Sequence, residues 1–474
     1  MLSKTSIPKY EKIMRYMKEK ISNGEWPIGS KIPSQRQLAK EFNVNRSTVI
    51  TALEELIADG LIEAQMGVGT IVTNNTWNLL SSSLNWNTHV ESGMLKQSRS
   101  TVQEINNSES QQQFIQLSKG ELSSDMFPLQ KMKNIINKVS NHITPFGYEE
   151  PKGYLPLRKA VSAYLHKINV NVSPSSILIV SGALQALQLV SIGLLQKGST
   201  VLLENPSYLY SLRIFQSAGI KLTGMPLDQE GLLAQHLEHA IKKKRKEAVL
   251  YTNPCFHNPT GTLMTEKRRK RIIETCTKHQ IPIIEDDIYR ELWFEKAPPL
   301  PLKSLDRTGH VLYVGSLSKT LTPGLRIGWI AAPEPVINRL ADIKMQIDYG
   351  SSSLSQRVAA EWLQSGLYEE HVKKVRENLL ERKNVALKLI KQHLEGLATW
   401  EEPQGGFFVW IHILAPLSMK SLYARARTQG ILLNPGHIYH EQSSRYIRLS
   451  YAYALLQDLE VGIRKLGLLI RSLS

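Results

Sequence analysis

From about residue 114 onward, short apolar runs alternate with amphipathic stretches, and this alternation constrains the fold more than any other feature of the chain. The runs are Ile177-Leu178-Ile179-Val180, Thr200-Val201-Leu202-Leu203, Ala248-Val249-Leu250-Tyr251, Pro282-Ile283-Ile284-Glu285 and Val311-Leu312-Tyr313-Val314. Near-continuous apolarity over four residues predicts strands buried on both faces. Helical stretches between them predict a mainly parallel sheet with helices on either side. After about residue 330, long charged helical stretches and Gly405-Gly406-Phe407-Phe408-Val409-Trp410 predict a smaller α+β lobe.

The chain has 474 residues, too many for one ordinary core, so more than one domain is expected. Residues 1–73 read as a separate module. Ile13, Met14, Met17 and Ile21 recur at helical spacing until Gly24, Pro27 and Gly29 break the pattern. Ser34 can cap a short helix through Phe42, and Asn45 can cap the next. That helix carries Val49, Ala52, Leu53, Leu56 and Ile57 on one face, and Gly60 ends it. Two strand-like pieces, 61–64 and 69–72, flank a turn at Gly67. Helix, helix, turn, helix and β-ribbon make a winged helix-turn-helix. Residues 74–113 are polar and aperiodic and read as a linker, although Trp77, Leu79, Leu80, Leu84 and Trp86 could dock locally. The remainder, 114–474, is the large domain, with lobes at about 145–330 and 331–474.

The net charge of +16 favours polyanionic partners. Residues 1–76 hold ten Lys/Arg and eight Asp/Glu, a net of +2, so +14 lies in the rest. The reading of the head as a DNA binder therefore rests on motif. The run Lys242-Lys243-Lys244-Arg245-Lys246 reads as a solvated helix end, with a DNA-backbone contact as the alternative. No apolar run reaches the about 18 residues that span a bilayer. Met1-Leu2-Ser3-Lys4 lacks the apolar core of a secretory signal. Cys255 and Cys276 form no disulfide framework, so a cytoplasmic location is expected. Nothing in the sequence points to a metal site.

Two constellations carry chemistry. In the head, Arg46, Ser47 and Thr48 occupy the first turn of the second helix of the motif, where side chains meet base edges and phosphates. In the large domain, Lys319 sits in Gly315-Ser316-Leu317-Ser318-Lys319, with Arg326 seven residues on. A lysine that forms a Schiff base with a phosphorylated aldehyde needs this setting, the hydroxyls and guanidinium holding the phosphate. The cofactor suggested is pyridoxal 5'-phosphate (PLP).

Tyr10 to Val72 resembles the GntR family of bacterial repressors, through Gly24, Gly29, Pro33-Ser34, Arg36, Leu38-Ala39, Val44, Arg46, Thr48, Ala52-Leu53, Gly60 and Gly69-Thr70. The resemblance implies DNA contacts from Ser34, Arg36, Arg46, Ser47 and Thr48, with Gly67 at the wing tip. Gln35 stands where a glutamate is usual and Ile50 where an arginine is common.

Residues from about 115 onward resemble fold-type I PLP enzymes, the class I aminotransferases, through five motifs in order. Ser181-Gly182-Ala183-Leu184 joins a strand to a helix and suits a phosphate, with Ser316, Ser318 and Arg326 completing the cup. Tyr208, in Asn205-Pro206-Ser207-Tyr208, is implied to stack on the pyridine ring. Asn258 and Tyr289 are implied to bond its phenolic oxygen. Asp286 is implied to pair with the ring nitrogen, with Asp287 as runner-up. Lys319 completes the set. Cys255 and His257 read as bystanders. Arg448 is implied to grip an α-carboxylate, Arg445 being the alternative, and Tyr148 to reach the partner subunit's phosphate site in a homodimer.

A GntR reader fused to an aminotransferase-like domain is the architecture of the MocR subfamily of transcriptional regulators. That resemblance implies a head-to-tail dimer that binds operator DNA and responds to PLP, or to an amino acid or amine forming an aldimine. An active aminotransferase with a DNA-binding appendage is the alternative, and residual transamination is compatible with either.

Overall fold

The structure is a computed structural model describing residues 8–65, 69–75, 92–93, 95, 98–111, 113–142, 147–243 and 248–474. It divides into two compact units, Met1–Gly93 and Met94–Ser474.

The first unit has helices α1 (Lys9–Ser22), α2 (Gln35–Glu41) and α3 (Arg46–Ala58), then strands β1 (Ile62–Gln65) and β2 (Gly69–Val72). The strands pair antiparallel, Ile62 opposite Val72 and Gln65 opposite Gly69. Ile13, Met17 and Ile21 of α1 pack with Leu38, Val49, Ala52 and Leu56 in a core of their own. Ser34 caps α2 in a capping box: Gln37 N–H donates to its hydroxyl, and the Gln37 side chain accepts from the Ser34 N–H at 2.9 Å. Asn45 sits at the N-cap of α3, but its side chain makes no capping bond, contrary to expectation. Gly60 takes φ +70°, the left-handed conformation that lets the chain turn out of α3 into the ribbon.

The second unit begins earlier than expected. Within the segment read as linker, Ser100–Ser108 folds as helix α4, with Val102 and Ile105 buried in the cluster that contains Phe408 and Tyr439. The polar composition concealed it, because only one narrow stripe of so short a helix needs to be apolar. Trp77, Leu79, Leu80, Leu84 and Trp86 lie outside the described residues.

The central sheet contains β3 (Ile177–Val180), β4 (Thr200–Asn205), β5 (Lys221–Asp228), β6 (Gly231–Leu232), β7 (Ala248–Thr252), β8 (Ile283–Asp286), β9 (Val311–Ser316) and β10 (Gly328–Ala331). Their spatial order is β3-β10-β9-β8-β7-β4-β5-β6. All five predicted runs are strands. The sheet is mixed, since β10 runs antiparallel to both β9 and β3. Separate apolar clusters pack on its two faces, one around Leu187, Val201 and Leu340, the other around Leu157, Trp329 and Trp362. A smaller lobe has the sheet β11 (Ala398–Trp400), β12 (Phe408–Ile413), β13 (Asn434–Pro435) and β14 (Tyr446–Ser450), ordered β11-β12-β14-β13. Helices α5 (Leu367–Leu394) and α6 (Leu456–Leu473) pack against it. Lys242 and Lys243 end a helix, and Lys242 pairs with Glu238 at 3.2 Å; residues 244–246 lie outside the described residues. Among the described residues no helix is long and apolar enough to cross a membrane.

Candidate functional site

Parallel strands deliver their carboxyl ends to one edge of a sheet, and the loops that leave there build a crevice. Asp286 is the last residue of β8, Asn253 follows β7, Ser316 ends β9 and Ala183 follows β3. They converge on a cavity of about 350 Å³ with Tyr208, Asn258, Tyr289, Ser318, Lys319, Arg326 and Arg448 in its walls.

Lys319 Nζ donates to the carbonyl of Gly120 at 2.7 Å. Burial pushes its ammonium down to about 8, with Arg448 adding to the effect and Glu121, Glu109 and Asp286 opposing it. The amine therefore loses its proton more readily than an exposed lysine does. Asp286 accepts the Tyr251 hydroxyl at 2.7 Å on Oδ2. Its Oδ1 is buried without a partner, and burial pushes the carboxyl up to about 6. The neighbouring Asp287 is instead ion-paired with Arg290 and does not line the cavity, which separates the two candidates. Asn253 ties the floor together: its amide donates to the Asp286 carbonyl at 2.6 Å, and its Oδ1 accepts the Asn258 N–H at 2.9 Å. Asn258 also donates to the Tyr289 hydroxyl at 3.4 Å and accepts from Arg448 Nη1 at 2.8 Å.

Arg448 projects from β14, buried, its guanidinium 4.0 Å from the ring centre of Phe408 and its Nη2 on the Ser118 carbonyl at 2.7 Å. Its Nε has no partner. Arg445 points away, holding the Leu414 and Ala415 carbonyls. Arg326 takes φ +54° and donates to the Ser181 carbonyl at 2.8 Å. Gly182 permits that approach, since a Cβ there would lie 2.7 Å from the guanidinium. Ser181 also hydrogen-bonds Ser351 through its hydroxyl. Leu184 lines the cavity. Tyr148 stands apart from the cavity of its own chain, 80% exposed and edge-on to Tyr349.

Sequence reasoning missed several wall residues. Glu109, Lys119, Gly120 and Glu121 come from the approach segment, and Tyr251, Phe408 and Tyr439 from strand and loop positions whose apolar character signalled only core. Cys255 is buried and free, and His257 is buried, its ring held neutral by a value pushed down to about 3. Neither lines the cavity.

In the first unit, Arg46 opens α3, exposed, with Nε donating to Gln35 Oε1 at 3.0 Å. Ser34, Arg36 and Ser47 are also exposed and Thr48 is half-buried. Gly67 lies outside the described residues.

A winged-helix unit and an aminotransferase fold thus share one chain. The family of class I and II aminotransferases matches residues 112–466, and the gntR family of bacterial regulatory proteins matches residues 9–72. The chain belongs to the class I and II aminotransferases and, through its GntR-type head, to the MocR subfamily of transcriptional regulators. It is 64% identical over 470 residues to the uncharacterized HTH-type transcriptional regulator YdfD of Bacillus subtilis (strain 168), covering 99% of this chain and 97% of that one. It is 37% identical to the HTH-type transcriptional regulator NorG of Staphylococcus aureus (strain USA300), covering 92% and 98%. Among solved structures it resembles kynurenine aminotransferase of Pyrococcus horikoshii in complex with PMP, with TM-score 0.77, 28% identity and coverage of 82% of this chain and 98% of that one.

Proposed function

We propose that this protein is a PLP-dependent transcriptional regulator that binds operator DNA as a homodimer and alters that binding when PLP, alone or with an amino acid or amine effector, occupies the cavity around Lys319. One observation carries the reading: a half-buried lysine, a buried carboxylate with one oxygen unpartnered and a buried arginine face one cavity on a chain that also carries a GntR-type reader.

The residues fit the cofactor. The free Oδ1 of Asp286 suits a ring N–H. The unpartnered Ser318 hydroxyl, Ser316, Arg326 and the helix start at Ala183 suit a phosphate. Tyr208 offers a ring face, Asn258 and Tyr289 offer donors, and Arg448 offers a fork for a carboxylate. Bound PLP would supply an electron-accepting ring. Lys319, partly neutral near pH 8, would supply the amine that holds the aldehyde. The exposure of Tyr148 supports a role in the partner subunit's site. Arg36, exposed in the first turn of α2, and Arg46 and Ser47, exposed in the first turn of α3, support contacts to DNA, with Arg46 able to take a bidentate grip on guanine.

A second reading, an active aminotransferase carrying a DNA-binding unit, is supported by the retention of Lys319, Asp286 and Tyr208 in one cavity. Mixing pure protein with PLP and recording its absorption spectrum tests both. The expected cofactor band disappears in Lys319→Ala; a band unaffected by that substitution would overturn the assignment. Sustained turnover of an amino acid with a keto acid would favour the second reading.

A further inference from the structure

One wall of the cavity comes from the segment by which the chain enters the second unit. Val102 and Ile105 of α4 line it, and Glu109, the C-cap residue of that helix, lines it as well. The Glu109 carboxylate accepts the Ser118 hydroxyl at 3.2 Å. Among the described residues it has no ion-pair partner. Its acidic neighbour in the same wall, Glu121, is paired with Lys119 at 3.4 Å. Burial pushes the Glu109 carboxyl above its ordinary range, and the nearby Arg448 guanidinium opposes that without cancelling it.

These facts bear on the ligand's shape and charge. With a carboxylate at Arg448 and an amine at Lys319, the rest of an amino acid must lie along walls that neither residue occupies. Asp286 is engaged by Tyr251 and suited to the cofactor ring, and Glu121 and Lys119 neutralise each other. That leaves Glu109 as the acidic wall residue whose carboxylate is neither ion-paired nor engaged by the cofactor ring. A half-buried carboxylate in this state disfavours a second anion beside it and is stabilised by a cation brought in from outside.

We propose that Glu109 selects an effector whose distal end is positively charged, a basic amino acid or a diamine in preference to a neutral or dicarboxylic one. This rests on the reading of the cavity as the PLP and effector site. Glu109 ends the helix through which the chain arrives from the reader, so the ligand's distal charge is met by the segment continuous with the DNA-binding unit.

The test is isothermal titration of the PLP-saturated full-length protein with L-lysine, L-norleucine and L-2-aminoadipate, which share a backbone and differ at the distal group. Lysine is expected to bind at least tenfold more tightly than norleucine, and aminoadipate more weakly than either. In Glu109→Gln the ratio of lysine to norleucine affinity should fall toward one. Equal affinities for the three in the natural protein, or a ratio unchanged in Glu109→Gln, would overturn the proposal while leaving the cofactor reading standing. Failure to form the Lys319-dependent absorption band would remove both.

Discussion

Lys319 and Asp286 owe their character to burial more than to any partner, and the same holds for Glu204 beneath them. Glu204 is fully buried in β4, accepts the Thr252 hydroxyl and the Asn253 N–H on Oε1, and leaves Oε2 unpartnered. Burial pushes its carboxyl up to about 7 from the ordinary 4.5. The folded protein therefore holds this proton more tightly than the unfolded chain. Its contribution to stability falls as pH rises from about 4.5 to about 7, and above that the full cost of the buried charge remains, ~3 kcal/mol at most. A glutamine keeps the Oε1 contacts and can offer its amide toward the unpartnered Nε2 of His257, which lines the same small cavity. Glu204→Gln should thus raise the thermal midpoint at pH 8 and lose that advantage at pH 4.5. A gain of equal size at both values, measured by calorimetry, would refute the buried-charge account.

At the scale of elements, the winged-helix motif was legible to within a residue or two because caps and glycines mark its ends. Ser34 with Gln37 and the left-handed Gly60 are local signals that need no tertiary context. Ser34→Ala should destabilise the first unit by about 1 kcal/mol, seen as a lower midpoint for that unit and no change in the second. Arg46→Ala should weaken operator binding by about 1–3 kcal/mol or more in a mobility-shift titration, with the PLP spectrum intact; undiminished operator affinity would remove the head assignment. Strands β5 and β10 escaped sequence reasoning for different reasons. Lys221–Asp228 mixes polar residues along an exposed part of the sheet, and Gly328–Ala331 is short and follows directly on a functional loop. Helix α4 escaped because its burial depends on the small lobe, which is contributed by residues about three hundred positions away. Glu109 was invisible for the same reason: nothing near it in sequence reports the cavity it faces.

At the scale of the molecule, each unit has its own apolar core, the first around Ile13, Met17 and Leu56, the second spread over the two sheets and their helices. Calorimetry should resolve two transitions, and PLP should raise only the one belonging to the second unit, since a ligand stabilises the unit that binds it. The motifs around Lys319 were legible because each sits at the carboxyl end of a strand, where sequence neighbours and spatial neighbours coincide. Arg448 lies far along the chain and was reached through resemblance. The pairing of reader and cavity on one chain is the central claim, and operator affinity measured with and without PLP tests it most directly. Using a DNA fragment that the protein retains from its own genome, PLP should change the affinity of the natural protein and leave Lys319→Ala unaffected. Identical affinities with and without PLP, in protein whose absorption band shows the cofactor bound, would contradict the account.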